Sequence, residues 1–216
     1  MLQQIAFRVH KKVHGFDVPD RPVFDTAEST EWFIDKLRGA RRYLEFGAGG
    51  STYVAAQLGV EFVTVDSDPK FLEMVRSKVL HDGYAAPNQV FRHHDIGPTA
   101  LWGRPVGSIS SQRLELFRRY SDTPPECLQG KLPDLVLIDG RFRIPCALKM
   151  LYWLTLRRSE NMLIVVDDYT DRPMYQALEE FARIQCVGRM AVLTDLKPFA
   201  PQALIDAVER WETVRD

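Results

Sequence analysis

The chain has 216 residues, a net charge of −1 at pH 7, 45% hydrophobic residues and 26% charged residues, values typical of a globular domain with one full core. The near-zero charge argues against a broad electrostatic surface for nucleic acid or anionic membrane, and three widely spaced cysteines are unlike a disulfide framework or a zinc site. Because no apolar run is long enough for a signal peptide or a membrane span, we expect a cytoplasmic protein with neither nucleic acid nor membrane as a partner.

An arm and one helix are predicted before the first strand. Residues 1–24 have a mixed composition, which indicates a loosely attached arm or a short strand. Asp25 and Glu28 have the spacing of a capping box, which predicts a helix to about Leu37 that Gly39 ends.

Apolar runs along the rest of the chain predict strands separated by helices. Five strands are predicted, at residues 42–46, 61–65, 89–94, 132–138 and 161–166. Two more short runs, 185–187 and 190–193, flank a Gly-Arg pair as in an antiparallel hairpin. Helices are predicted at 51–58, at 69–81, from Pro145, from Pro173 to about Ile184, and from Pro201 to Trp211. This alternation is typical of a doubly wound α/β sheet.

Residues 96–132 are too long for a simple crossover between two strands. They contain several Gly and Pro residues and one helical stretch, 112–120. We interpret the segment as an insertion at the carboxyl edge of the sheet. It forms either the wall of a substrate pocket, built with Trp102 and Tyr120, or packing over that edge.

The most informative stretch is a glycine-rich turn between the first strand and its helix. Gly47 and Gly49 lack Cβ atoms where a ligand could approach the backbone, and the following helix directs free N–H groups at the turn. Glu45 precedes the turn, and Asp66 ends the next strand 21 residues later. A dinucleotide-binding pattern would need a third glycine at position 52, which is Thr52.

The turn resembles the first motif of the class I S-adenosylmethionine-dependent methyltransferases, acid-x-Gly-x-Gly-x-Gly, with Ser51 in place of the last glycine. The resemblance covers about residues 40–196 and implies S-adenosylmethionine as the cofactor, with Asp66 accepting the ribose hydroxyls and Asp95 near the adenine amino group. The implied cofactor-binding residues are Glu45, Gly47, Gly49, Ser51, Asp66 and Asp95. The alternatives are a capping role for Asp66 and a turn role for Asp95, and Asp68 is expected to cap a helix.

The resemblance implies a Rossmann-like class I methyltransferase fold. Its sheet has seven strands and is mostly parallel, with a C-terminal antiparallel hairpin and helices on both faces. We expect one domain over residues 1–216. It comprises an arm and helix (1–39), a core sheet with the insertion (40–196) and a C-terminal helix (197–216).

Acids also end the fourth and fifth predicted strands, at Asp139 and at Asp167-Asp168. Metal-dependent small-molecule O-methyltransferases place acids at these strand ends, so the resemblance makes all three acids candidate ligands of Mg²⁺. Arg141 and Arg143 follow Asp139 and provide two alternatives: an arginine pairs with Asp167 or Asp168, or it binds an acidic group of the substrate.

The candidate catalytic residues are Asp139, Arg141 and Asp168, with His94 as a further candidate base. The residues at 139–143 and 95–103 also resemble a bacterial group known as methyltransferase-like.

The sequence is therefore consistent with three candidate functions. The first is methyl transfer from S-adenosylmethionine to an oxygen or nitrogen of a small-molecule acceptor. The second is a non-catalytic binding protein on the same fold. The third is a nicotinamide-dependent oxidoreductase. The oligomeric state is left open, a homodimer being one alternative.

Overall fold

The computed structural model describes residues 17–100, 103–122, 130–157 and 162–214. The first sixteen residues of the predicted arm and Trp102 lie outside these ranges. Within them, no helix has the length and apolar character needed to cross a bilayer.

The strands of the described ranges form one mixed sheet. They are β1 Arg42–Phe46, β2 Glu61–Asp66, β3 Gln89–His93, β4 Leu135–Ile138, β5 Leu163–Val166, β6 Ala182–Val187 and β7 Met190–Leu196. Their order in the sheet is β3-β2-β1-β4-β5-β7-β6. Strands β1 to β5 are parallel, and β7 is antiparallel to both β5 and β6. The predicted fold, including the terminal antiparallel hairpin, is confirmed.

Helices cover both faces of this sheet. They are α1 Ala27–Gly39, α2 Gly50–Gln57, α3 Pro69–His81, α4 Ser111–Ser121, α5 Arg143–Arg157, a 3₁₀ helix Pro173–Glu180, and α6 Pro201–Trp211. Asp68 accepts hydrogen bonds from the first N–H groups of α3, at 3.0 and 3.1 Å. The predicted helix cap at Asp68 is therefore confirmed.

Two apolar cores lie on opposite faces of the sheet. Leu44 and Phe46 of β1 join the core beneath α4, α5 and α6, whereas Tyr43 joins the core beneath α1, α2 and α3. Successive side chains of a strand point to opposite faces. Glu45 consequently shares the face of Tyr43 and points towards α2.

Several predicted element boundaries differ from the structure. The capping box of α1 is formed by Thr26 and Ser29, each donating its backbone N–H to the other's hydroxyl, at 3.2 and 3.0 Å. The box predicted at Asp25 and Glu28 was wrong by one position, because a hydroxyl at both ends can satisfy the same two N–H groups.

The helix predicted from Pro173 to about Ile184 was also too long. It is a 3₁₀ helix that ends at Glu180, and β6 begins at Ala182. Pairing with β7 gives the backbone of these residues a ladder of hydrogen bonds that local sequence preference does not reveal.

The described part of the insertion is a small hairpin followed by α4. Thr99 and Pro105 form an antiparallel bridge. The buried guanidinium of Arg113, on α4, donates hydrogen bonds to the carbonyl oxygens of Ile96, Pro98 and Val106. The helix predicted within the insertion is confirmed, and one arginine holds the hairpin to it.

Candidate functional site

The glycine turn after β1 is in direct contact with the turn after β4. Gly47 has φ +105°, and a Cβ at this position would lie 2.6 Å from the backbone nitrogen of Gly140. A Cβ on Gly140 would in turn lie 2.9 Å from the backbone nitrogen of Gly47. Both positions therefore require glycine, and their contact brings Asp139 next to the turn. At Gly49 a Cβ would meet no atom within 4 Å, so the backbone there borders open space.

Glu45 is fully buried and holds the turn together from below. Its carboxylate accepts hydrogen bonds from the hydroxyls of Tyr43 and Thr64, both at 3.0 Å, and from those of Ser51 and Thr52 at the start of α2. These five residues, the hydroxyl cluster, are Tyr43, Glu45, Ser51, Thr52 and Thr64. Burial raises the pKa of Glu45 to about 7, and the four hydroxyls oppose that rise.

The hydroxyl cluster explains how the acid and the serine of the motif act in this chain. The four hydrogen bonds to Glu45 join β1, β2 and the first turn of α2, and so hold together the elements on both sides of the glycine turn. Cofactor binding by the side chains of Glu45 and Ser51 stays a prediction, since the structure shows both of them bonded to each other.

Asp66 lies at the end of β2 beside the glycine turn. Its carboxylate accepts hydrogen bonds from the backbone N–H groups of Ala48, at 2.9 Å, and Asp68, at 2.8 Å. Burial raises the pKa of Asp66, and these N–H groups oppose the rise. One side chain thus aligns the turns that follow β1 and β2.

Asp95 follows β3 and is exposed. It accepts a hydrogen bond from the N–H of Gly97 at 2.8 Å, which is the turn role that the sequence left open for it. Next to it, His94 is half-buried, and burial followed by the charge of Arg92 lowers the pKa of its ring. The ring packs against Tyr120, with centroids 6.3 Å apart.

Asp139, Asp167 and Asp168 meet at the ends of β4 and β5. One carboxylate oxygen from each lies within 4.8 Å of the others. This confirms that the two predicted strand ends bring the three acids together. Three arginines lie among them. The arginine cluster is defined as Asp139, Asp167, Asp168, Arg143, Arg172 and Arg189.

Arg143, at the start of α5, lies against Asp139 and Asp168 with its side chain only 4% exposed. It forms ion pairs with Asp139 Oδ1 at 3.0 Å and with Asp168 Oδ2 at 3.2 Å. Its remaining N–H groups donate to the carbonyl oxygens of Asp139, Gly140 and Asp167 at 2.7–3.1 Å. The predicted pairing of an arginine with the strand-end acids is confirmed for Arg143.

Arg189 and Arg172 complete the cluster, and the sequence analysis did not identify either. Arg189 binds Asp167 through two parallel hydrogen bonds, at 2.9 and 2.7 Å, and also pairs with Asp168 at 3.1 Å. Arg172 pairs with Asp168 at 3.1 Å. Arg189 occupies the turn of the β6–β7 hairpin, and the pairing of β7 with β5 is what brings it to Asp167. No local sequence signal marks that contact.

The donor set of this cluster does not fit Mg²⁺. Three carboxylates are balanced by three guanidinium groups, and Arg143 already pairs with two of the acids. Mg²⁺ requires about six oxygen ligands near 2.1 Å in octahedral geometry. Both carboxylate oxygens of Asp167 already accept hydrogen bonds from Arg189. Of the six carboxylate oxygens in the cluster, the second oxygen of Asp139 is the one that forms no hydrogen bond or ion pair with the described residues.

Tyr120 and Arg141 contact each other beneath the turns that follow β1 and β4. The N–H of Arg141 donates to the Tyr120 hydroxyl at 3.3 Å. Tyr120 is buried and packs on Phe46 and Phe142, with centroids 6.0 and 5.7 Å away. Tyr120 therefore contributes to the core under the turns, which corresponds to the packing alternative. Trp102, its predicted partner in a pocket wall, lies outside the described residues.

Residues 17–26 form an N-terminal strap that crosses the carboxyl edge of the sheet. Asp20 pairs with Lys78 of α3 at 2.7 Å. The carbonyl of Arg21 covers Gly50 so closely that a Cβ there would overlap it, and the Asp25 carboxylate does the same at Gly188. The strap thus contacts α3, α2 and the β6–β7 turn. A surface pocket of about 380 Å³ lies where the strap meets α3, away from the strand-end acids, and is lined by Asp17, Val18, Glu73, Met74, Ser77 and Lys78.

Neither a protein-family model nor a curated protein sequence matches the chain. Among solved structures, a methyltransferase-like protein from Silicibacter pomeroyi DSS-3 matches 90% of this chain and 99% of its own, with 29% identity and a TM-score of 0.70.

Two cofactor-bound structures also match, at lower scores. The O-methyltransferase TomG from Streptomyces achromogenes, in complex with SAM, is 20% identical over 96% of this chain and 74% of its own, with a TM-score of 0.43. Rv0187 from MTB is 18% identical over 89% of this chain and 97% of its own, with a TM-score of 0.47. Scores this low support no inference about this chain.

The strand order, the glycine turn between β1 and α2, and the Silicibacter match agree with one another. The chain has the class I methyltransferase fold, as the motif at residues 45–51 predicted, and is similar to a bacterial methyltransferase-like protein, as residues 139–143 and 95–103 predicted.

Proposed function

We propose that this chain binds S-adenosylmethionine at the carboxyl ends of β1 and β2 and transfers its methyl group to an oxygen or nitrogen of a small-molecule acceptor. The observation that carries the proposal is the glycine turn itself. Its backbone borders open space at Gly49, the hydroxyl cluster joins the strand and helix on either side of it, and its N–H at Ala48 donates to Asp66.

The residues of this site fit the cofactor in shape and in chemistry. A nucleoside needs a surface without Cβ atoms and an acid that can accept ribose hydroxyls, and the turn and Asp66 supply these. When bound, the cofactor supplies a methyl group activated by a positively charged sulfur. The carboxyl side chains at the cleft suit that positive charge better than they would a pyrophosphate.

Asp139 is the residue that we assign to the acceptor. Its side chain is 39% exposed, and one oxygen is fixed by Arg143, which leaves the other to accept a hydrogen bond. Desolvation raises the pKa of Asp139, the charge of Arg143 opposes this, and the neighbouring Asp167 and Asp168 raise it further. A carboxylate with a raised pKa is suited to take the acceptor's proton as the nucleophile loses it. Holding the acceptor in line supplies much of the acceleration.

Arg141 and Asp168 have different relations to this step. Asp168 is bonded to Arg143, Arg172 and Arg189, so it positions the arginine that holds Asp139. Arg141 follows the Gly140 turn, and we assign to it the recognition of the acceptor rather than proton transfer.

The test is calorimetric titration of the protein with S-adenosylmethionine and S-adenosylhomocysteine. Micromolar binding of both is expected. Asp66→Asn should weaken it by about tenfold, because an amide cannot accept two ribose hydroxyls as a carboxylate does. Asp195→Asn, at an exposed position of β7, is the matched control and should leave binding unchanged. Wild-type affinity in Asp66→Asn would remove the role of Asp66, and no binding by the wild type would remove the cofactor.

Turnover separates the remaining alternatives. Binding of the cofactor without methyl transfer to any acceptor of a hydroxyl and amine panel would favour a non-catalytic protein. A fluorescence titration with NADH tests the nicotinamide alternative, and no binding is expected, because Thr52 stands where a third glycine is needed and donates its hydroxyl to Glu45.

A further inference from the structure

We propose that Arg143 takes the place of a divalent cation at the ends of β4 and β5, so that any methyl transfer at these strand ends is independent of metal, and Asp139 rather than a metal ion holds the reacting group of the acceptor. The inference goes beyond the proposed function, because it concerns the acids rather than the cofactor.

The geometry of the guanidinium group carries this inference. A cation that bridges three strand-end acids must lie between their facing oxygens, and those oxygens are within 4.8 Å of one another. The Nη atoms of Arg143 reach two of the three carboxylates, at 3.0 and 3.2 Å. The same group also binds the main-chain carbonyl of the third acid, Asp167, at 2.7 Å. Arg143 is thus coordinated by the residues that a metal would need.

Charge balance supports the same conclusion. A divalent cation binds where carboxylates leave an excess of negative charge. Here Arg172 and Arg189 add two further positive charges at the edge of the cluster, and Arg189 binds both oxygens of Asp167. The six side chains are formally neutral, so Mg²⁺ would have to displace the buried guanidinium group of Arg143, which is costly to leave without partners.

The arrangement also restricts the class of acceptor. A metal-dependent site can hold two vicinal oxygens of a substrate on the ion. With Arg143 bound to these acids, the reacting group of the acceptor is held by one hydrogen bond to the second oxygen of Asp139. The acceptor is therefore a compound with a single N–H or O–H donor at the reacting position, and chelation of a vicinal diol is not needed. Its proton would pass to Asp139 and then to water, while a new bond from the nucleophile to the methyl carbon would replace the bond from that carbon to the cofactor's sulfur, and the cofactor would leave as the neutral thioether.

The first experiment is a titration of the wild-type protein with Mn²⁺, followed by the electron paramagnetic resonance signal of the free ion, without cofactor. No binding is expected up to millimolar concentration. Binding at micromolar concentration that Asp139→Asn abolishes would overturn the proposal. Because the cofactor is absent, this result is independent of whether S-adenosylmethionine binds, so failure of the proposed function and failure of this inference remain distinguishable.

The second experiment changes the arginine. Arg143→Gln removes the charge between the acids, and Mn²⁺ binding should then tighten by about tenfold or more. Arg143→Lys keeps the charge and should still exclude Mn²⁺, which a purely structural role for Arg143 would not predict. Arg172→Gln also removes one positive charge, but at the edge of the cluster, where Arg172 contacts Asp168 and the Tyr175 ring; as the matched comparison it should tighten Mn²⁺ binding less than Arg143→Gln does. A folded Arg143→Gln protein that binds Mn²⁺ no better than the wild type would show that Arg143 does not exclude the metal. If that variant does not fold, the wild-type titration decides alone.

Discussion

The hydroxyl cluster and the arginine cluster bury acids at neighbouring strand ends by different physical means. Glu45 is surrounded by four O–H groups and faces no formal positive charge among its hydrogen-bond partners. Asp139, Asp167 and Asp168 lie against three guanidinium groups. The four hydroxyl groups donate two hydrogen bonds to each carboxylate oxygen of Glu45. These bonds offset only part of the free-energy cost of removing the charged carboxylate from water, so the pKa of Glu45 rises to about 7.

The two clusters therefore suit two different roles at the carboxyl ends of the strands. A cluster of neutral donors can hold a turn in place without placing a positive charge beside the glycine backbone, where a cationic cofactor is proposed to bind. In a cluster with guanidinium groups, the positive charge of Arg143 offsets part of the rise in the pKa of Asp139, and the three charges together repel other cations. The contact between Gly47 and Gly140 joins the two clusters.

The largest effect is expected for Asp167→Ala in the arginine cluster. Asp167 is 1% exposed, and its loss leaves Arg189 without its two parallel hydrogen bonds. The free energy of unfolding should fall by about 4 kcal/mol, as is typical when one partner of a buried ion pair is removed. Urea denaturation measures it. The double variant Asp167→Ala with Arg189→Met should recover part of the loss; no recovery would show that the pair is not coupled.

The hydroxyl cluster should make stability depend on pH. The folded-state pKa of Glu45, about 7, lies above the reference value of 4.5. Between these values the unfolded chain is ionised while the folded Glu45 retains its proton, so stability falls as pH rises through this window. The loss attributable to Glu45 should approach about 3 kcal/mol above pH 7.

Glu45→Gln isolates this contribution from that of other acids. The difference in unfolding free energy between wild type and Glu45→Gln should shift in favour of the variant by that amount from pH 4.5 to pH 8. Urea denaturation across this range measures it. A constant difference would mean that the carboxylate of Glu45 is ionised at every pH tested.

Gly47→Ala tests the contact that joins the two clusters. The substitution should lower the free energy of unfolding by about 2 kcal/mol, because φ +105° is strained for alanine and its Cβ would overlap Gly140. Thermal unfolding provides the measurement. Gly39→Ala is the matched control, since Gly39 ends α1 with open space around a Cβ, and it should be neutral or slightly stabilising. Equal effects at both positions would contradict the contact.

The smallest effect is expected at the edge of the arginine cluster. Arg172 is 31% exposed and pairs with Asp168 alone. Arg172→Gln should change the free energy of unfolding by about 0.5 kcal/mol, and less in high salt, as for other partly exposed ion pairs. A loss as large as that of Asp167→Ala would show that all three arginines act as one unit.

Much of the architecture was predictable because it depends on local patterns. The apolar runs of β1, β2 and β4 and the proline and aspartate at the start of α3 specify their elements within a few residues of chain. The motif at residues 45–51 likewise indicated the fold that the strand order and the Silicibacter match confirm. The 3₁₀ helix and the start of β6 were not predictable, since pairing with β7 decided them.

The candidate site shows the same division. The sequence by itself determined which strand ends carry acids and which turn carries glycines, because both lie within a few residues of an apolar strand. Only the tertiary structure decided what those acids contact. Glu45 points into hydroxyls from β2 and α2, and Arg189 reaches Asp167 from a hairpin 22 residues further along the chain. Such contacts depend on the packing of elements distant in sequence, and that packing determines here which charges are balanced and which carboxylate oxygen remains for a ligand.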